Sequence, residues 1–176
     1  ALSATAQTRT PSHCIAIADA APDMVWRAGW DDPLPSETVR LSYVGHSTYY
    51  IETYGGLSVA TDYTGLLGPA DVVPDVVTMN HAHSSHWTSQ PDDRIPHVLQ
   101  GWDWTGEPAD HHLDLGEILV RNVPTDIRRP GGAVEPAGNS IFVFEVAGLC
   151  IGHLGHLHHE PTPEQYAALG RLDVVM

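Results

Sequence analysis

The chain has 176 residues and carries 22 acidic against 8 cationic side chains, a formal net charge of −14. Such a charge repels phosphate backbones and anionic surfaces, which excludes basic-patch nucleic-acid binding. No apolar run reaches the roughly 18 to 20 residues of a membrane span. Hydrophobic residues make up 42% and charged ones 17%, a composition that can build a core and argues against wholesale disorder. All eight cations are arginine, and twelve residues are histidine. Histidine chemistry is what remains.

Residues 1–38, rich in Ala, Pro, Ser and Asp, read as an N-terminal arm with one short helix near Pro22–Gly29. The triplet Ala4-Thr5-Ala6 resembles the tail of a secretory signal, which predicts a periplasmic or secreted protein, with the cytoplasm as the alternative. Regular structure begins at residue 39, so 39–176 is the domain-forming part. Val39–Val44 alternates with period two, as a half-buried strand does. Thr48–Thr53 and Leu57–Thr61 flank Gly55-Gly56 and predict a hairpin. Asp75–Met79 is a short apolar run, and Pro96–Gln100 and Glu117–Val123 predict further strands. Proline and glycine between Pro124 and Gly138 predict a loop. Asn139–Val146 and Leu149–Gly152, joined by Ala147-Gly148, predict a second hairpin. Thr162-Pro163-Glu164-Gln165 carries the signature of a helix start, the helix ends at Gly170, and Leu172–Met176 begins a new strand.

Two histidine-rich loops follow predicted strands. The first is Asn80-His81-Ala82-His83-Ser84-Ser85-His86-Trp87, with imidazoles at i, i+2 and i+5. At a strand end His81 and His83 can point the same way, and a tight turn returns His86 toward them. Neutral imidazole is the commonest metal ligand, and three on one ion leave a position open for water. A solvated polar loop is the alternative reading. The second loop, His153-Leu154-Gly155-His156-Leu157-His158-His159-Glu160, follows Leu149-Cys150-Ile151. His158 or His159 can equally cap, hydrogen-bond or face solvent. His46 and Asp62 are candidates to support a ligand imidazole from behind, through its second nitrogen. The two cysteines, Cys14 and Cys150, are either buried thiols or one long-range disulfide formed in an oxidising compartment.

Together these motifs resemble the metallo-β-lactamase superfamily, and within it the branch containing ascorbate-6-phosphate lactonase. Val44–Glu52 resembles that branch's opening hairpin, Ala60-Thr61-Asp62-Tyr63 its strand-Asp motif, and His81, His83, Ser85 and His86 its H-x-H-x-D-H motif. Gly155-His156 stands where the family has Gly-Asp. The resemblance implies an α/β fold, an αββα sandwich of two similar halves, with the site along one edge. It also implies that the chain is incomplete at its C-terminus, the remainder lying in a missing segment or a second chain.

The departures from the family pattern bear on chemistry. Ser85 replaces the motif aspartate, His156 replaces the aspartate that bridges two metals, and the middle loop Val123–Ile127 holds no histidine. Without the bridging carboxylate a dinuclear centre loses the charge that holds two dications together. The expectation is therefore one divalent transition metal, zinc foremost, with Fe, Cu and Ni open to an all-nitrogen site. His81, His83, His86, His156 and His158 are the candidate ligands. His46, Asp62, Ser85, Asp126 and His153 are the candidate supports. The implied function is a metal-dependent hydrolase of a small-molecule substrate. The alternatives are a non-catalytic metal-binding or assembly subunit and a redox metal protein.

Overall fold

The computed structural model describes residues 9–16, 27–68, 71–81, 83–129 and 131–176. Its strands form two sheets of five. The first comprises β1 (Val39–Gly45), β2 (Thr48–Thr53), β3 (Ser58–Ala60), β4 (Val76–Met79) and β5 (His97–Gln100), side by side in that order. β1 to β3 are antiparallel, whereas β3, β4 and β5 run parallel. The second sheet has the order β10 (Val174–Val175), β9 (Leu149–His153), β8 (Val134–Val146), β7 (Ile118–Arg128), β6 (His112–Asp114). It is antiparallel except for β10, which runs parallel to β9. The helices are α1 (His13–Ala16) and α2 (Pro163–Leu169).

Period-two patterning explains how the layers stack. Ile51, Val59, Val76 and Leu99 of the first sheet meet Ile118, Val120, Phe142, Phe144 and Ile151 of the second in the central core. Along β8, Ile141 and Val143 fall on the opposite face and pack with Cys14, Cys150 and Leu169. Both helices therefore cover the outer face of the second sheet. The outer face of the first sheet, with Tyr50, Ala60, Val77 and Met79, is covered by irregular segments that contribute Tyr63, Ile95 and Trp102. All four residues of β4 are buried, as suits a strand covered on both faces.

The predicted strands from residue 39 onward are present, as is the helix start: Thr162 accepts from Gln165 N, and Gln165 Oε1 accepts from Thr162 N. Pro124–Gly138 is different. Most of it is strand, because β7 and β8 form one long hairpin paired from Ile118↔Val146 to Arg128↔Val134. Pro124 is tolerated because β6 pairs β7 only as far as Arg121, leaving the outer edge there without a strand partner. Pro136 falls where the register shifts between Thr125 and Ile127, and Ala137 there has φ +53°, the mark of a bulge. β6 and the single turn of α1 carry no sequence signal of their own. Of the helix predicted near Pro22–Gly29, residues 22–26 lie outside the described residues, as do Ala4 and Ala6; residues 27–29 are not helical.

Residues 9–16 are tied to the second sheet. Cys14 and Cys150 form a disulfide, which resolves the two readings of these cysteines. Beside it Glu145, buried in β8, accepts from Ser12 Oγ (2.5 Å), Arg121 Nε (2.7 Å) and the backbone N–H of His13 (2.9 Å). Arg121 donates in addition to Ala168 O and Leu169 O, capping the end of α2. Burial alone pushes the Glu145 carboxyl up, but the Arg121 guanidinium and the Ser12 hydroxyl hold it below its ordinary 4.5. Because the folded value is the lower one, this carboxylate's contribution to stability is complete above pH 4.5 and is lost as pH falls through the folded value. Glu145→Gln is accordingly expected to flatten the acid limb of stability below pH 4.5, read from urea midpoints measured from pH 3 to 7.

Candidate metal centre

Strand ends bring the site together. β3 runs out into Thr61-Asp62, β4 into Asn80 and the first histidine loop, β9 into His153 and the second. The turn between β1 and β2 supplies His46 and Ser47. The first loop closes on itself: Asn80 N donates to His86 O (3.2 Å) and His86 N to His83 O (2.9 Å). This turn places His83 and His86 on the same side.

His83, His86 and His156 each offer a ring nitrogen, and the three nitrogens lie within 4.8 Å of one another. Their ring centroids are 4.8 Å (His83–His86), 5.1 Å (His83–His156) and 5.4 Å (His86–His156) apart. The Nδ1 atoms of two of them are held by neighbouring side chains. His83 Nδ1 is 2.6 Å from Ser85 Oγ. His86 Nδ1 meets Asp62 Oδ2 and lies 3.1 Å from Ser47 Oγ. A carboxylate behind an imidazole fixes the tautomer with Nδ1–H, so the Nε2 lone pair faces forward. Partial burial, with His86 and His46 nearby, pushes the His83 imidazole below its ordinary value. Burial, His86 and His83 do the same to His156. Both shifts favour the neutral ring that a metal requires.

Asp62 is fully buried, with φ +42°, and its other carboxylate oxygen accepts from Asn80 Nδ2 at 3.0 Å. Asn80 in turn accepts from Ser140 N (2.8 Å), which links the first sheet to the second directly behind the site. Asn139 does for the second loop what Asn80 does for the first: its Oδ1 accepts from His156 N (2.8 Å), and its Nδ2 donates to Thr125 Oγ1 (2.7 Å). A Cβ at Gly155, where φ is +61°, would sit 2.3 Å from Asn80 Nδ2 and 2.6 Å from Asn139 Oδ1. Only glycine lets the loop carrying His156 approach both asparagines.

The other candidates lie around this trio. His46, at φ +51°, presents its ring 5.2 Å from that of His86. His153 is 2% exposed, its Nε2 2.8 Å from Ser47 O, and burial pushes its imidazole down. His81 turns away from the trio: its ring stacks on Trp102 at 5.0 Å and meets Trp104 and Trp87 edge-on, with Nδ1 3.6 Å from Glu135. His158 packs against His159 at 5.0 Å. Asp126 accepts from Ala137 N (3.1 Å) at the β8 bulge, and its own N–H donates to His159 Nε2 (3.4 Å). Asn80, Asn139 and Ser47 are the members of the site that sequence reasoning passed over. Asn80 and Ser47 do stand directly beside His81 and His46, a position that could have singled them out.

The donor chemistry fits a divalent transition ion. Imidazole nitrogens are ordinary zinc ligands, and three of them here lie within 4.8 Å of one another.

No curated protein matches the chain. Several solved structures share its fold at low identity. One is assigned as a Zn-dependent hydrolase of the metallo-beta-lactamase superfamily from Thermotoga maritima, with 23% identity, a TM-score of 0.53, and 78% of this chain and 59% of that one covered. Another is assigned as a metal-dependent hydrolase from Parabacteroides distasonis, with 14% identity, a TM-score of 0.52, and 72% and 63% covered. A third is CmlA, a diiron beta-hydroxylase from Streptomyces venezuelae, with 17% identity, a TM-score of 0.52, and 82% and 35% covered. The chain thus spans less than two thirds of each of these structures. The model of the beta-lactamase superfamily domain matches residues 40–176, a stretch that takes in both sheets, Asp62 and both histidine loops, and the chain belongs to that family.

Proposed function

We propose that His83, His86 and His156 hold a single divalent transition ion, zinc foremost, and that the chain is a metal-dependent hydrolase of small molecules with an ester, lactone, amide or phosphoester bond. The observation that carries this reading is the convergence of three imidazole nitrogens, with Ser85 and Asp62 holding Nδ1 of two of the rings. A bound ion there supplies Lewis acidity toward a substrate oxygen and acidifies water. The chain's own part is orientation. Asp62 and Ser47 hold His86, Ser85 holds His83, and Asn139 fixes the backbone of His156. In this reading His46 and His153 pack around the site, and His81, His158 and Asp126 are not ligands. The Cys14–Cys150 disulfide supports an oxidising compartment, periplasmic or extracellular.

The test is elemental analysis of the full chain together with hydrolysis of ester and lactone probes. About one equivalent of metal is expected. His83→Ala and His156→Ala should each weaken retention more than the roughly 10- to 100-fold typical of losing a supporting contact, and probe hydrolysis should fall in parallel. Less than about half an equivalent in the parent protein defeats the proposal. An all-nitrogen donor set also accepts iron and copper; recovery of either, with no hydrolysis, would favour the redox reading.

A further inference from the structure

On the far side of the second sheet, His13, Cys14 and Cys150 form a second cluster. A ring nitrogen of His13 and the two Sγ atoms lie within 4.8 Å of one another. We propose that these residues are a thiol-controlled metal site, closed as a disulfide in the oxidised protein and able to bind one zinc-like divalent cation when reduced.

Three observations support it. His13 Nδ1 is 3.1 Å from Glu145 Oε2, while His13 Nε2 is shielded from solvent and has no hydrogen-bond partner. A metal-binding imidazole commonly has one nitrogen held by a carboxylate, and the His13 ring is held by Glu145 in this way while its Nε2 has no other partner. The same construction, Asp62 behind His86, stands at the other site. Second, Glu145 is anchored by Arg121 Nε from the neighbouring strand β7, a support that does not depend on the disulfide. Third, both cysteines are fully buried, but the His13 side chain is 35% exposed. The exposed part of the His13 ring marks the side on which solvent comes nearest to the cluster, while Nε2 itself is shielded. Two thiolates, one imidazole and one water complete a tetrahedral set of ordinary type.

The chemistry balances in two steps. A tertiary phosphine attacks one sulfur and breaks the S–S bond; water then supplies the oxygen of the phosphine oxide and the two protons of the thiols. Binding of a dication to the pair of thiols releases those two protons and forms two metal–sulfur bonds.

Cobalt(II) titration of the phosphine-reduced, gel-filtered chain under anaerobic conditions tests the proposal. A sulfur-to-cobalt charge-transfer absorption is expected, with one equivalent more bound than by the oxidised chain. The imidazole trio contains no sulfur, so this signal and the fate of the first site are read separately. His13→Ala should weaken the sulfur-signalled binding by about tenfold or more. If reduction loosens the fold, cobalt should restore the far-ultraviolet circular dichroism of the native chain. Absence of the charge-transfer signal, an unchanged affinity in His13→Ala, or a reduced chain that cobalt fails to refold would each overturn it.

Discussion

Asp62→Ala is expected to lower stability by about 3 kcal/mol and metal affinity by about 10- to 100-fold. The carboxylate is fully buried and accepts from two donors, Asn80 Nδ2 and His86 Nδ1. Each donor left unpaired in the interior costs about 1–3 kcal/mol. Alanine is also strained at φ +42°, where aspartate and asparagine are tolerated. Asp62→Asn separates the two effects. It keeps the backbone conformation and the contact to Asn80, but presents an amide N–H to His86 and so favours the opposite tautomer. We expect Asp62→Asn to retain most of the stability and to lose metal binding nearly as fully as Asp62→Ala. Paired urea titrations and metal competition assays on the two variants decide this. Equal metal affinity in Asp62→Asn and the parent would remove Asp62 from the site.

The other large effect concerns the link between the arm and β9. Cys14 and Cys150 are 136 residues apart in sequence, and closing so long a loop removes entropy from the unfolded chain equivalent to about 5 kcal/mol. Measured losses on removing a native disulfide run at about 2–5 kcal/mol. At about 2–4 °C per kcal/mol for a chain of this size, the double variant Cys14→Ala, Cys150→Ala should melt about 5–15 °C lower. The free-cysteine parent under reducing conditions should show a similar shift in the absence of metal. The arm carries further ties, among them Ser12 to Glu145 and Arg9 Nη2 to Asp110 Oδ2 at 2.7 Å. The Arg9 pair is solvent-exposed and adds little. A melting shift below about 2 °C would mean that residues 9–16 are held by these contacts rather than by the covalent link.

Legibility differed from element to element for identifiable reasons. β8 from Asn139 to Val146 was readable because its alternation meets two cores, Phe142 and Phe144 on one face and Ile141 and Val143 on the other. The stretch from Pro124 to Gly138 was not. Its prolines signal a loop locally, and only the outer edge of β7, which lacks a strand partner there, and the bulge in β8 make room for them. α1 is a single turn held by Glu145, 132 residues away, and no local pattern encodes so distant a partner.

The histidine loops show the same division. Spacing in the sequence identified both loops, and the place of Asp62 at a strand end made it a candidate support for an imidazole, which the structure shows to be that of His86. Which imidazoles share a point was decided by tertiary contacts. His81 is drawn away by stacking on Trp102, a residue that follows β5, whereas His156 is delivered by Asn139 on β8 and by the absence of a Cβ at Gly155. The sequence by itself therefore determined most of the strands, the acidic charge and the pool of candidate ligands, because periodicity, charge and residue type are local properties. The tertiary structure decided the membership of the site and the pairing of Cys14 with Cys150, because both depend on side-chain direction and on groups brought together from different strands.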